Sequence, residues 1–335
     1  MAASTSDWIL FCLLVPSLIV YIIFLRTLHK YRDREPFNKP FFKMIFWLGI
    51  IDVARLVEDW LLFKFPMFGW LGMASVVMTA PFLLAKFHIV LTWFLGQAQV
   101  FGVLWLAFNR LCSCALLRVG KVRSHTLLFR CLFQDWSDKQ LKIMYAVWLL
   151  LPLLCNLPLW PTQFYFSNNG TGDTALLYWA DTLLQWYYLV CCAFVCSAVA
   201  TVCAVCYLFL VYKFRAQRLE ANRLRVGEGG VPKREIKLAL VGIALALLAA
   251  LCGMACLLLA NSVDPATLAV ALPALNFVND VYCWVNPYLL LACSARVRRH
   301  FTAVMMCKEC QDAERSNQNA NEKIRRRHSA VDCQL

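Results

Sequence analysis

Residues 26–43 read RTLHKYRDREPFNKPFFK, six Lys and Arg residues set between two long apolar runs. Those runs cover residues 8–28 and 40–63, and about 20 apolar residues of helix suffice to cross a hydrocarbon layer roughly 30 Å thick. Working outward, the pattern repeats. Further apolar runs occupy residues 82–111, 143–164, 179–212, 238–260 and 267–292, and basic residues gather in alternate gaps, at 26–43, 118–142, 213–237 and after Cys293. All but four of the 33 Lys and Arg residues lie in these gaps, the exceptions being Arg55, Lys64, Lys86 and Arg110, while residues 161–181 and 261–265 hold none. Lys and Arg resist translocation and collect in cytoplasmic loops. The alternation therefore predicts an odd number of crossings, with the N-terminus outside and the C-terminus in the cytoplasm.

An apolar content of 61% and a mean hydropathy of +0.60 exceed what a soluble domain carries. The runs are continuous rather than alternating, which excludes barrel strands, and in lipid a helix satisfies its own backbone. The expected fold is an all-α membrane protein, a seven-transmembrane helix bundle with a short amphipathic helix after span seven. Residues 1–7 form an extracellular N-terminus, 8–292 the transmembrane domain, 293–310 the juxtamembrane helix and 311–335 a disordered cytoplasmic tail. A formal charge of +13, dispersed over loops on one side, suits anionic inner-leaflet lipid and an acidic cytosolic partner and argues against nucleic acid. The first run lacks the basic flank of a signal peptide and reads as a retained span. No internal repeat of the kind that builds many transporters is visible.

Smaller signals fit this topology. None of the 17 cysteines falls in residues 65–78, 159–181 or 261–273, so no structural disulfide is expected, and Cys203-x-x-Cys206 reads as packing within an apolar helix. Asn169-Gly170-Thr171 is a glycosylation sequon in a gap that charge already places outside. In residues 295–306, Val297, Phe301, Val304 and Met305 share one face while Arg296, Arg298, Arg299 and His300 are polar, the pattern of a helix lying in the membrane interface. Cys293, Cys307 and Cys310 flank it as acylation candidates. Arg326-Arg327-His328-Ser329 offers Ser329 to a basophilic kinase, which would place negative charge beside a basic cluster.

Ionised residues inside a span cost about 2.5–3.5 kcal/mol each on insertion scales and need a reason to be there. Span two holds Asp52, Arg55, Glu58 and Asp59. Asp52 follows Lys43 by about 13 Å of helix rise, which puts it near mid-membrane. Arg55 stands three residues from Asp52 and Glu58 and four from Asp59, a spacing that allows ion pairs on one face of the helix, and the stripe must face the bundle interior or a wet cavity. A sodium ion near Asp52 is the one cofactor this reading admits. Span three closes with Asn109-Arg110, and span seven carries Asn276, Asn279, Asp280, Asn286 and Pro287. Only His88 among the histidines lies in a span, and no paired-His motif is present, so neither a metal centre nor an enzyme is expected.

With these elements in order, the chain resembles a G-protein-coupled receptor. Leu48-Gly49-Ile50-Ile51-Asp52 resembles the span-two element of that superfamily, Asn109-Arg110-Leu111 its Asp-Arg-Tyr element, and Asn286-Pro287-Tyr288 its span-seven element. It departs at Asn109, which replaces an acid, at Leu290, which stands where a Tyr belongs, and in lacking the outer disulfide. Within the superfamily the chain resembles the nematode serpentine chemoreceptors, particularly the class-gamma group. The stretch Val15-Pro16-Ser17-Leu18-Ile19-Val20-Tyr21-Ile22-Ile23, Ile51-Asp52 and Phe108-Asn109-Arg110-Leu111 carry that likeness. The resemblance implies a chemosensory receptor of the plasma membrane, with the sensory cilium as its compartment. It would bind an extracellular odorant or pheromone-like small molecule and activate a heterotrimeric G protein. On this reading Glu58, Asp59, Lys86, Asp181 and Trp186 are ligand-binding candidates at the outer ends of the spans. Asp52, Arg55, Asn109, Arg110, Asn286 and Pro287 form the activation switch, with Arg110 meeting the G protein. The alternative is a multi-pass ion channel or transporter using Asp52, Arg55 and Asp280 along an ion path.

Overall fold

A computed structural model describes residues 5–34, 37–116, 138–168, 174–223, 233–262 and 265–306. Asn169, Cys307, Cys310, Ser329, residues 117–137 and 224–232 of the second and third basic loops, and the tail lie outside the described residues. Seven helices of 18 residues or more follow one another: α1 (Thr5–Lys30), α2 (Pro40–Asp59), α5 (Pro81–Leu116), α6 (Asp138–Cys155), α7 (Thr182–Arg223), α8 (Lys233–Ala260) and α9 (Pro265–Cys293). Two short helices, α3 (Phe65–Phe68) and α4 (Met73–Met78), follow α2, and α10 (Ala295–Met305) follows α9. Among the described residues α1, α5, α6, α7 and α8 are long and apolar enough to cross a membrane, and α2 with its bent continuation makes a sixth. The seventh, α9, carries Asn276, Asn279, Asp280 and Asn286, whose polarity dilutes its apolar run.

The helix order in space follows the order in sequence. Helix α7 lies along α8 and α8 along α9, while α5 stands centrally against α2, α6, α7 and α8, and α1 closes the bundle against α2 and α9. One apolar core runs through it, from Tyr21 and Phe24 through Leu48, Val103 and Trp148 to Tyr207, Ala249 and Tyr282. The outer faces are equally apolar: Phe194 is 74% and Leu247 62% exposed, with Ile143, Leu150, Leu154 and Val205 beside them in kind. A protein dissolved in water does not leave so much apolar surface uncovered; a protein dissolved in lipid has no reason to cover it.

Three boundaries differ from the sequence expectation. Span two does not run on as an α-helix to residue 63. It changes to a π-helical turn over Trp60–Lys64 and then bends by 114° beyond α3, with Gly69 (φ 71°), Leu71 (φ 54°) and Gly72 (φ 65°) in the left-handed region. Glycine enters that region without steric cost. Leu71 is held there between the two, and Phe11, Trp60, Phe65 and Trp70 pack ring on ring around the bend. Span four ends at Cys155, where Asn156 bonds back to the Pro152 carbonyl at 2.9 Å and a 3₁₀ turn holding Pro158 begins.

The third departure is a sheet in a fold expected to be all-α. Residues Phe164–Asn168 (β1) and Ala175–Trp179 (β2) pair antiparallel, Phe164 opposite Trp179 and Asn168 opposite Ala175. Both segments were assigned in part to spans because they are apolar, yet aromatic residues favour a half-buried pleated surface. Phe164, Phe166 and Ala175 turn inward against α4 and α5, while Tyr165 stacks on Tyr178 across the strands. The hairpin caps the end of the bundle at which α1 begins, and α10 closes the opposite end, with Val297 and Phe301 inserted in the core.

The two faces of α6 provide a test of this packing. Trp148 is fully buried, its Nε1 donating to the Ala98 carbonyl at 2.5 Å, whereas Leu150 is 53% exposed. Trp148→Ala is expected to cost about 3–5 kcal/mol and lower the melting temperature in detergent markedly, with Leu150→Ala close to wild type. Equal losses would mean that α6 is rotated.

Candidate functional site

Asp52, Arg55, Glu58 and Asp59 of α2 are all buried; the first three find their partners on other helices, while Asp59 meets Lys64 of the π turn that continues α2. Asp52 receives two donors on Oδ2, Tyr21 Oη of α1 at 2.5 Å and Asn286 Nδ2 of α9 at 2.7 Å. Arg55 donates to the amide oxygens of Gln99 on α5 and Asn279 on α9. Glu58 meets His88 Nδ1 and takes Thr92 Oγ1 on both carboxylate oxygens at 2.9 Å. Asp59 lies 2.8 Å from Lys64 Nζ, which also reaches Asp280 of α9 at 2.6 Å. These contacts form a ladder along one seam between α2, α5 and α9. Its first and last rungs, Asp52 and Asp59, are about 10 Å apart at the rise of an α-helix.

The ion pairs that the spacing along α2 allows are therefore not the ones that form. Arg55 does not pair with Asp52, Glu58 or Asp59; two amides take it instead. Side chains three or four apart on a helix attract only weakly, whereas neighbouring helices hold acceptors directly in front of the guanidinium. Gly96 allows this approach, since a Cβ there would lie 3.2 Å from the Arg55 guanidinium.

Lys64 was not among the predicted site residues, and the π turn explains why. In an α-helix residues five apart point about 140° away from one another, which would send Lys64 off the face that carries Asp59. A π turn bonds i to i+5, here Phe65 N–H to the Trp60 carbonyl, and brings the ammonium over Asp59. The same turn lays Phe63 flat on His88, ring centroids 5.6 Å apart with 7° between planes, and sets Lys64 Nζ 4.8 Å from the Trp60 ring centre. Gln99, Thr92 and His88 were missed as well. Their spacings of seven and four place them on one face of α5, as the spacing of seven does for Asn279 and Asn286 on α9, and that periodicity of polar residues was the available signal.

The remaining candidates separate. Lys86 donates to the Trp160 carbonyl beneath the hairpin, at the edge of a cleft of about 420 Å³ lined by Phe82, Thr162, Gln163 and Phe164. Asp181 caps α7, its Oδ1 accepting from Leu184 N–H at 3.0 Å, and Trp186 is 46% exposed on the outer side; neither joins the ladder. At the other end Asn109 is buried and the Arg110 guanidinium stacks 3.6 Å from the Phe41 ring centre. Pro287 lies inside α9, next to Asn286. Cys293 is half-buried at the end of α9. Ser294 caps α10 by accepting from Val297 N–H, and Arg298 donates to the Leu291 and Ala292 carbonyls at 2.7 Å, fastening α10 to α9. His300 packs against the Tyr31 ring, centroids 4.3 Å apart; partial burial and the nearby Arg34, Arg299 and Arg296 hold its pKa below the ordinary value.

A sodium ion beside Asp52 finds little support in this donor set. Oδ2 is taken by two hydrogen bonds and Oδ1 alone is without a partner, and one free oxygen does not make a cation cage. Among the described residues no three His, Cys, Asp or Glu side chains could hold a metal ion together.

Among the described residues, seven long apolar-faced helices, four of them tied by an internal polar seam, fit a multi-pass membrane protein of the seven-transmembrane type. The model of the family described as "Serpentine type 7TM GPCR chemoreceptor Srv" matches residues 10–307, and the chain belongs to that family. It is also 26% identical over 317 residues to a protein of Caenorhabditis elegans named "Serpentine receptor class V-1", covering 93% of this chain and 92% of that protein. The finer likeness to the class-gamma group is not confirmed by these matches, since elements of a few residues that serpentine receptors share cannot separate their classes.

The Lys64 rung yields a prediction. Lys64→Met leaves two buried carboxylates facing each other, and removing one partner of a buried ion pair costs about 3–5 kcal/mol. The variant is expected to lose most of its monodisperse peak in fluorescence-detected size exclusion, and Asp59→Asn with Asp280→Asn in the same chain to restore it. An unchanged peak for Lys64→Met alone would remove the rung from the account of stability.

Proposed function

We propose that this chain is a chemosensory G-protein-coupled receptor of the plasma membrane, with its N-terminus and hairpin outside and α10 in the cytoplasm. It binds an extracellular small molecule at the hairpin end and activates a heterotrimeric G protein at the other. The observation that carries this reading is the polar ladder. It starts beneath the hairpin at Glu58, Asp59, Lys64 and Asp280, continues through Arg55 and reaches Asp52 and Asn286, so it joins the outer half of α2, α5 and α9 to their middle. Membership of a chemoreceptor family supports the sensory role and a location in the sensory cilium.

A ligand changes the conformational balance only by binding one arrangement better than the other. The ladder gives it the means. A group that competes for Glu58, Asp59 or Asp280 loosens α2 from α5 and α9 at their outer ends, and the next rungs must rearrange because each holds a desolvated charge. Lys86 offers a cation at the outer cleft to a ligand with an anionic group. Coupling energies of about 1–3 kcal/mol between sites are typical of such transitions, no more than the loss of one charged hydrogen bond. Arg110, at the cytoplasmic end of α5, is positioned to meet the G protein, and the basic loops steer an acidic partner toward it. The ion-path alternative requires Asp52, Arg55 and Asp280 to face a conduit, whereas each has its hydrogen-bonding partners on neighbouring helices.

Topology decides first. Glycosidase should shift the mobility of the wild type but not of Asn169→Gln, and a C-terminal tag should resist protease in sealed, cytoplasm-inside vesicles. A lumenal tag would overturn the orientation, and G-protein coupling with it. Next, cells expressing the receptor and a promiscuous Gα subunit are screened with small odorants. A response that survives in full in Arg110→Ala at equal surface expression would exclude Arg110 from coupling; its loss is the expected result.

A further inference from the structure

The most extensive helix–helix contact in the bundle, between α7 and α8, holds a cluster of thiols that the polar ladder does not use. The two helices come close at Gly253, where a Cβ would lie 3.1 Å from the Ala193 carbonyl oxygen and 3.2 Å from Cys196 Cβ and Ser197 Oγ. Residues four apart on a helix share a face, and on either side of this approach stand two such pairs, Cys192 with Cys196 on α7 and Cys252 with Cys256 on α8. Cys192 Sγ is 3.9 Å from Cys196 Sγ along its own helix and 3.8 Å from Cys256 Sγ across the interface. All four are free thiols. Carbon surrounds the pair that meets across the interface, from Leu189, Ala193, Trp93 and Leu275.

We propose that Cys192 and Cys256 are a reversible oxidation site, at which hydrogen peroxide cross-links α7 to α8. A disulfide requires its sulfurs about 2.05 Å apart. From a thiol contact of 3.8 Å the sulfur separation is closed by rotating two short side chains, with the helices already held together at Gly253. Cys192 is the less buried of the two and is the thiol the oxidant reaches first; peroxide is small and uncharged and enters the bilayer. The Cys192 sulfur attacks one peroxide oxygen, an S–O bond forms, the O–O bond breaks and the first water leaves, giving a sulfenic acid. The Cys256 sulfur then attacks the oxidised sulfur, the S–S bond forms, the S–O bond breaks and the second water leaves. Two thiols lose two electrons and two protons, and peroxide is reduced to two waters. A thiol reductant reverses the bond by exchange. Once formed, the bond ties the middle of α7 to the middle of α8 and holds the two helices in one arrangement, whether or not a ligand is bound.

The test reads the bond itself and does not depend on any signalling assay. A protease site is inserted at residues 227–230, between α7 and α8, in the full-length receptor in membranes. After hydrogen peroxide treatment the free thiols are blocked with N-ethylmaleimide, the chain is cleaved, and the halves are run in SDS without reductant. The expected result is one band of full length that separates into halves with dithiothreitol, together with a linked peptide pair mapping to Cys192 and Cys256 in wild type. Cys256→Ala should give separate halves, and Cys203→Ala should keep them joined. Halves that separate after peroxide in wild type would overturn the proposal. So would a link that survives Cys256→Ala, or one that maps to other cysteines.

Discussion

An ammonium group in hydrocarbon has no water with which to share its charge, and Lys64 stands where two carboxylates from two helices take that part. The same constraint governs every rung below it. Asp52, Arg55 and Glu58 are met by groups from other helices, and Lys64 ties Asp59 to Asp280 of α9, so the helices cannot slide or rotate past one another without uncovering an ion. In lipid the hydrophobic effect does not distinguish a packed Leu from a lipid-facing one, and association rests on close packing and interhelical hydrogen bonds. The seam therefore sets the register of α2, α5 and α9, while small and apolar contacts elsewhere, such as Gly253 against Ala193, fill the space around it. Tyr21, as the second donor to Asp52, brings α1 under the same constraint.

This arrangement also separates the two ends of the molecule by kind. The hairpin end is made of aromatic rings and irregular backbone, with left-handed residues, a π turn and a 3₁₀ turn, all close to ionised groups. At the other end the rings of Tyr31, Phe37 and His300 pack tilted and edge-on against one another, α10 folds back on α1, and Arg110 lies across Phe41. The ladder of buried charges lies between these two ends.

Much of the fold was legible in the sequence, because the bilayer imposes length and charge rules that need no knowledge of tertiary contacts. The basic segment at residues 26–43 and its repeats mark seven spans, and all seven long helices appear where the apolar runs are. The hairpin was not legible in the same way. Apolarity alone cannot distinguish a strand that caps the bundle from the end of a span, and residues 164 and 179 were taken into spans for that reason. At the site, the burial of Asp52, Arg55, Glu58 and Asp59 followed from cost alone, but their partners did not. Which neighbour answers a charge depends on the rotation of α5 and α9, and short-range spacing within α2 pointed to Arg55 pairing with its own helix. Asp181 and Trp186 were read from position at a span end, where capping and lipid contact account for them equally well.

The π turn at Trp60–Lys64 has a consequence for how this chain can change over generations. A π turn is an α-helical turn with one residue more, and losing a residue there would rotate everything beyond it by about 100°. A single-codon deletion in this stretch would carry Lys64 away from Asp59 and Phe63 away from His88 while altering no charge and little apolarity. The outer end of the charge seam thus depends on the number of residues in this turn as well as on the side chains it carries.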